Sequence, residues 1–333
     1  MYTPESYTIS VILCFVAMFA WGSWANTQKL ASKTWRFELF YWDYTIGILL
    51  FSLVLALTLG SSGSHGRSFA DDFAQAGSGS IGSAMLGGLI FNIANILLVA
   101  AIAIAGMSIA ITICVGIALV LGVFINYMAS PVGDPVYLAV GVFLVALAII
   151  TSAFAYRKMN NGSQQTSAKG IVLAVISGVL MSFFYRFVAK SMAVNLITPE
   201  AGLLSPYTAI FFFSLGIFVS NFILNTVIMK KPFVGQPVSY SQYFEGTLKT
   251  HLIGVLGGSI WCIGMSASIL AAGKAGFAIS YGLGQGATVV AILWGIFVWK
   301  EFKNPPKGTL TLLSLTIAFY VFGLIAIIVS KIV

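Results

Sequence analysis

One carboxylate of this 333-residue chain, Asp43, lies inside an apolar run; the other acids fall in loops or at run ends. A carboxylate held away from water can take up and release a proton near neutral pH. Asp43 therefore fits proton coupling. It also fits a side chain reaching the interface from about one and a half turns inside its helix, or one paired with Lys29 or Lys190. Asn92 and Asn95 are three apart, on one helical face. Their amides donate and accept, which suits a neutral polar ligand or a helix–helix hydrogen bond. Tyr281 and Gln285 are four apart among Gly282, Gly284 and Gly286, glycines that permit close packing or local unwinding at a site. Arg186 and Lys190 share one face. They can meet an acidic or carbonyl group of a substrate, neutralise Asp43, or snorkel to the interface. Trp21, Trp24 and Trp261 can stack on a planar ligand or belong to interfacial belts. The candidate substrate-binding set is Trp24, Asn92, Asn95, Arg186, Tyr281 and Gln285, with Asp43 as the candidate proton-coupling residue.

Nothing in the chain resembles a soluble catalytic site. It has no phosphate-cradling G-x-x-x-x-G-K-[ST] loop, no H-E-x-x-H and no G-x-S-x-G. No enzyme activity, metal or cofactor is expected. His65 and His251 lie in or beside loops and read as ordinary surface histidines. Cys14, Cys114 and Cys262 all sit in apolar runs without disulfide or metal-ligand spacing.

The elements that must hold these residues are membrane spans. The chain is 59% apolar and 8% charged, with a mean hydropathy of +0.98. So few charges cannot coat a globule of this size but suit a chain solvated mostly by lipid. The net charge of +8 is dispersed one to three residues at a time, with no basic stripe for nucleic acid. Apolar runs lie near 7–29, 38–60, 82–105, 107–129, 135–156, 168–190, 205–229, 250–272, 275–299 and 309–331, each long enough to cross ~30 Å of hydrocarbon. Residues 61–80 read as a mobile Gly/Ser-rich linker, and 230–249 as a structured surface loop.

The chain repeats. Gly87-Gly88 matches Gly257-Gly258, and the same offset pairs Gly106 with Gly276, Ile109 with Ile279 and Gly116 with Gly286. The expected fold is all-α and transmembrane, with ten helices as two inverted five-helix repeats. These are residues 7–156 and 168–331, joined by a short linker at 157–167. Inverted repeats around a midplane site are a transporter signature. Lys29, Lys33, Arg36, Arg157, Lys158, Lys169, Lys230, Lys231, Lys249, Lys300, Lys303 and Lys307 fall on one side. The positive-inside rule then puts both termini on the non-cytoplasmic side of a plasma or inner membrane.

Several motifs carry a family resemblance: Gly22-Ser23-Trp24, Trp42-Asp43-Tyr44, Gly87-Gly88 with Asn95, Ala105-Gly106-Met107-Ser108 and Asn126-Tyr127 in the first half. The second half adds Tyr207-Thr208-Ala209-Ile210-Phe211-Phe212-Phe213-Ser214, Leu293-Trp294-Gly295-Ile296 and Lys300-Glu301. In order and spacing they resemble the ureide permease family, within the drug/metabolite transporter superfamily. The resemblance implies ten helices and secondary active transport, with proton symport of allantoin- or uracil-like solutes as in plant members. Those members have a long central loop with a nucleotide-binding-type motif, which the short linker here lacks. Similar branches of the superfamily carry sugars such as rhamnose, glucose or ribose. A sugar permease is therefore the alternative expectation and a metabolite or drug exporter a minor one. Expected partners are a small polar solute, protons and membrane lipid.

Overall fold

A computed structural model describes residues 1–31, 35–63, 66–159, 167–196 and 198–333. His65 and most of the 157–167 linker lie outside the described residues. Among the described residues, ten helices are long and apolar enough to cross a membrane. They are α1 (Tyr7–Ala31), α2 (Phe37–Leu57), α3 (Ser78–Ala105), α4 (Met107–Ala129) and α5 (Pro135–Met159), then α6 (Ala168–Ser191), α7 (Pro206–Lys230), α8 (Leu248–Ala275), α9 (Phe277–Val298) and α10 (Thr309–Val329). Lipid offers no hydrogen bonds, so these apolar runs satisfy their backbones internally as helices. Polar residues stand where backbone N–H groups are left over. Ser6, Ser205 and Thr247 accept from Ile9, Thr208 and Thr250 N–H at the starts of α1, α7 and α8.

Two spans are irregular. In α1 the Thr27 N–H closes on the Trp24 carbonyl only three residues back. In α9 the helix is interrupted at Gln285-Gly286, where the Gly286 N–H bonds to the Leu283 carbonyl at 3.0 Å, and it ends in a π turn over Trp294–Val298. Such departures are tolerated at membrane depth where they line a cavity or are covered by protein.

Small residues set the helix crossings, as expected where lipid supplies no hydrophobic drive. A Cβ on Gly88 of α3 would collide with the Phe213 carbonyl of α7, and one on Gly258 of α8 with the Tyr44 carbonyl of α2. Gly216 of α7 meets Met85 of α3 in the way Gly47 of α2 meets Val255 of α8. The pairings α1–α8, α1–α9 and α2–α8 have counterparts in α6–α3, α6–α4 and α7–α3, each helix replaced by the one five places along. The α3–α4 and α8–α9 joints are single glycines with the same left-handed geometry, Gly106 at φ 84°, ψ 154° and Gly276 at φ 90°, ψ 150°. A side chain there is strained, which is why glycine occupies both joints.

One face carries both termini and the 2–3, 4–5 and 6–7 connections: the Tyr2 N–H bonds to the Leu59 carbonyl and the Asp134 N–H to the Ser330 carbonyl. The 61–80 segment on this face departs from the mobile linker expected. Residues Phe69–Gln75 form a helix capped by Ser68. Arg67 pairs with buried Asp72 at 2.9 Å and donates to the Glu200 and Leu203 carbonyls, while Asp72 accepts from the Ser205 N–H. Buried charge must be paired, and this pairing straps the segment to the 6–7 connection. On the opposite face, the 7–8 loop holds a short helix, Tyr240–Phe244, closed by a Ser239/Gln242 capping box. Arg36 ties that loop to α2 through Glu38 and the Val234 and Gln236 carbonyls.

Candidate functional site

A cavity of about 290 Å³ lies between α1, α3, α4, α5, α6, α8 and α9. Its walls reach from the middle of the bundle towards the face opposite the termini, since they include Tyr156, three residues from the end of α5. Towards the terminal face the bundle is closed. There Tyr185, Ser268 and Ser280 form a fully buried hydroxyl cluster between α6, α8 and α9, with the Tyr185 hydroxyl 2.9 Å from Ser268 and 3.3 Å from Ser280.

The cavity is aromatic and uncharged. Trp21, Trp24, Phe91, Phe184, Trp261 and Tyr281 line it, and among the described residues no charged side chain does. Trp261 stacks on Trp21 at 6.2 Å between centroids and meets Phe91 at 4.4 Å. Polar groups are few: Asn95, Thr112, Ser152, Tyr156, Gln285 and Thr288. The interruption in α9 puts Gln285 on the wall, while Gly284 lets the Trp21 ring pass close to the backbone.

Of the candidate residues, Trp24, Asn95, Tyr281 and Gln285 meet at this cavity. The Tyr281 hydroxyl donates to the Met181 carbonyl at 3.2 Å, so its ring, not its hydroxyl, is the surface offered. Asn92 stands behind the wall, fully buried: its Nδ2 donates to the Ile217 carbonyl and to Ser220 Oγ, and its Oδ1 accepts from the Tyr41 hydroxyl. Tyr41 in turn accepts from Asn95 Nδ2 at 3.1 Å. Arg186 is half-buried and is not among the lining residues.

Asp43 sits apart from the cavity, 2% exposed, where α2 meets the start of α8 and the 7–8 loop. Its Oδ1 accepts from the Tyr243 hydroxyl at 2.6 Å and lies 2.9 Å from His251 Nδ1. Its Oδ2 and the Trp35 indole nitrogen are both buried, and the indole lies beside the same carboxylate. The Trp35 ring stands edge-on to His251 at 5.3 Å. Burial, and then the hydrogen bond and charge of Asp43, push the Tyr243 phenol upward, so it stays protonated and donates. These contacts correct two readings. His251 is not an ordinary surface histidine but a half-buried partner of the intramembrane acid. Asp43 pairs with neither expected lysine: Lys29 is bound to Glu301 at 2.5 Å, and Lys190 is exposed. Little in the amino-acid sequence points to His251 and Tyr243, because both lie some 200 residues from Asp43 and outside the hydrophobic centre of any run.

Ten apolar helices around a cavity that no charged side chain lines among the described residues define a multi-pass membrane protein. Comparison with known proteins makes the class specific. The chain belongs to the ureide permease family, whose profile matches residues 40–169 and 156–330. It is 24% identical to ureide permease 1 and 22% identical to ureide permease 2 of Arabidopsis thaliana, each over 99% of both chains. A shorter match, 38% identical over 80 residues, is to a putative sugar uptake protein of Streptococcus pyogenes serotype M6, covering 23% of this chain and 28% of that one. A solved crystal structure superposes with a TM-score of 0.62 at 14% identity over 96% of each chain, a likeness of fold alone. The chain is a membrane transport protein.

Proposed function

We propose that this protein takes up a neutral, planar, amide-bearing solute of the ureide or nucleobase kind by proton symport. The observation that carries the substrate class is the cavity wall: aromatic faces and the Asn95 and Gln285 amides, with no charged side chain among the described residues. Flat rings stack on Trp21, Trp24 and Trp261 for roughly 0.5–1.5 kcal/mol per face beyond burial. An uncharged wall gives an anionic substrate no counter-charge to offset its desolvation. Plant relatives named as ureide permeases over nearly the full chain support the same class.

Asp43 is the proton site in this reading, with His251 from α8 and Tyr243 from the loop helix as the titratable groups facing it. Tyr41, Asp43 and Tyr44 lie within one turn of α2. Tyr41 holds Asn95, and the Tyr44 ring lies 4.9 Å from that of Trp24. A change of charge at Asp43 therefore acts on the helix that supports two cavity residues. The two halves, 7–156 and 168–331, are inverted repeats, a reading supported by the exchanged helix pairings and the twin joints at Gly106 and Gly276. Both termini are non-cytoplasmic, a reading supported by the basic residues on the opposite face. The cavity then extends towards the cytoplasm.

A sugar permease is the second reading, favoured by the streptococcal match. Thermal denaturation of the detergent-purified protein with ureides, nucleobases, hexoses and pentoses separates the two. A ligand at 100 times its Kd adds roughly 2.7 kcal/mol of stability. Stabilisation by allantoin or uracil and by no sugar is expected; stabilisation by a sugar alone overturns the substrate class.

A further inference from the structure

The cavity amide of Asn95 is not free to choose which end it presents. Two groups on α7 fix the polarity of the chain of hydrogen bonds behind it. The Ile217 backbone carbonyl can only accept, and it receives Asn92 Nδ2 at 3.2 Å. Ser220 Oγ has already given its own hydrogen to the same carbonyl at 3.0 Å, so it too can only accept, and it receives Asn92 Nδ2 at 2.9 Å. Turning the Asn92 amide over would set its oxygen against two acceptors. Its Nδ2 is therefore held on α7, and its Oδ1 points at Tyr41.

The Tyr41 hydroxyl has one hydrogen. It gives that hydrogen to Asn92 Oδ1 at 2.8 Å, which leaves only its oxygen for Asn95, and Asn95 meets it with Nδ2 at 3.1 Å. The same logic then turns the second amide. One Nδ2 hydrogen given to Tyr41 keeps the amide from turning over, and its oxygen, which takes no hydrogen bond among the described residues, is the end held to accept at the cavity that Asn95 lines. Tyr41 and Asn92 are 0% exposed, so no water competes for these bonds.

We infer that Asn95 is a fixed hydrogen-bond acceptor for the solute, and that Asn92 and Tyr41 are positioning residues that lock it in that sense. Resting on the ureide or nucleobase reading, this gives the substrate a required feature: an N–H directed at Asn95. A ligand that offers an acceptor there meets oxygen against oxygen and is rejected. The rejection is larger than the gain from one added contact, because a buried polar group left unpaired costs more than a hydrogen bond contributes.

The test compares uracil with 1,3-dimethyluracil, which has the same ring and no N–H, by calorimetric titration of the purified full-length protein. Wild type is expected to prefer uracil by at least about tenfold. Part of that preference is the bulk of the methyl groups, which a change behind the wall leaves in place. In Tyr41→Phe the hydroxyl is gone and the Asn95 amide can turn over, so the preference should fall several-fold. In Ser220→Ala, where Ile217 still holds Asn92, the preference should be kept. An equal preference in wild type and Tyr41→Phe overturns the inference, provided both bind uracil. If Tyr41→Phe does not fold, Asn95→Leu replaces it, with the same fall expected and an unchanged preference equally fatal. If neither uracil nor allantoin binds wild type but a sugar does, the ureide reading fails by itself. The same comparison is then made between that sugar and its O-methyl ethers. If no member of the panel binds, both readings fall.

Discussion

Replacing Asp43 with asparagine separates the proposed proton site from the proposed solute site. The carboxylate Oδ1 takes the Tyr243 hydroxyl at 2.6 Å and faces His251 Nδ1 at 2.9 Å. A carboxamide can keep an acceptor oxygen at that position but carries no charge. Hydrogen bonds to a charged group contribute roughly 1.5–3 kcal/mol and neutral ones roughly 0.5–1.5. Two such bonds lose about 2–3 kcal/mol together. Most of that loss falls at the contact of α2 with α8 and the 7–8 loop, because Asp43 is not a lining residue. Tyr41 keeps its bond to Asn95 and Tyr44 its contact with Trp24. Solute affinity should therefore change by less than about threefold, under ~1 kcal/mol. The assay is uptake into proteoliposomes with and without an imposed pH gradient, beside equilibrium binding. Asp43→Asn is expected to bind the solute and let it equilibrate, without accumulation driven by the gradient. Accumulation equal to wild type would remove Asp43 from coupling. A more than tenfold loss of binding would show that the acid acts on the cavity itself.

Tyr243→Phe removes a donor that favours the Asp43 carboxylate, so the pH profile of gradient-driven uptake should move to higher pH; an unmoved profile means the 2.6 Å bond does not bear on the coupling group. Tyr243 itself does not set that profile, because its phenol is pushed upward and stays protonated through neutral pH. Gly258→Val drives a side chain into the Tyr44 carbonyl, a backbone atom that cannot rotate away. The cost should reach or exceed about 3 kcal/mol, seen as a lower melting temperature, and an unchanged melt would refute the close crossing. A reporter active only in the cytoplasm, inserted at residue 162, should be on; a silent reporter in a folded fusion reverses the orientation.

The ten spans are legible because lipid imposes one demand on every residue of a span, and a run of about 20 apolar residues answers it wherever it occurs. The break in α9 is foreshadowed by its glycines, although the glycines alone do not distinguish tight packing from unwinding; the structure has both, at Gly284 and at Gln285-Gly286. The site is less legible. Asn92 and Asn95 share a helical face, yet one binds α7 and the other lines the cavity. What separates them is the Ile217 carbonyl, a backbone atom on another helix that no side-chain pattern reveals. Trp21 and Trp261 are ordinary tryptophans in sequence, and only the α1–α8 crossing brings them into a stack. The linker at 61–80 misleads for a related reason. Its Gly/Ser content reads as loose chain, but Arg67 and Asp72 find partners on a connection more than 120 residues away.

Distance between Asp43 and the cavity is what coupling by a helix requires. A proton site inside the cavity would feel the solute directly, and its charge would oppose entry of a neutral ring into an aromatic box. Here the acid faces outward from α2 onto α8 and the loop helix, while Tyr41 and Tyr44 of the same turn face inward onto Asn95 and Trp24. The helix is rigid at this scale, since the close contacts at Gly254, Gly258 and Gly47 leave little room between α2 and α8. Neutralising the acid weakens its bonds to Tyr243 and His251, and with them the hold of α8 and the loop on α2. A small part of that change, under ~1 kcal/mol, passes along α2 to Asn95 and Trp24, the residues proposed to meet the solute. Under the proposed symport, protonation and solute binding bias the same helix, and a shared element whose arrangement both sites alter is sufficient for each to change the affinity of the other.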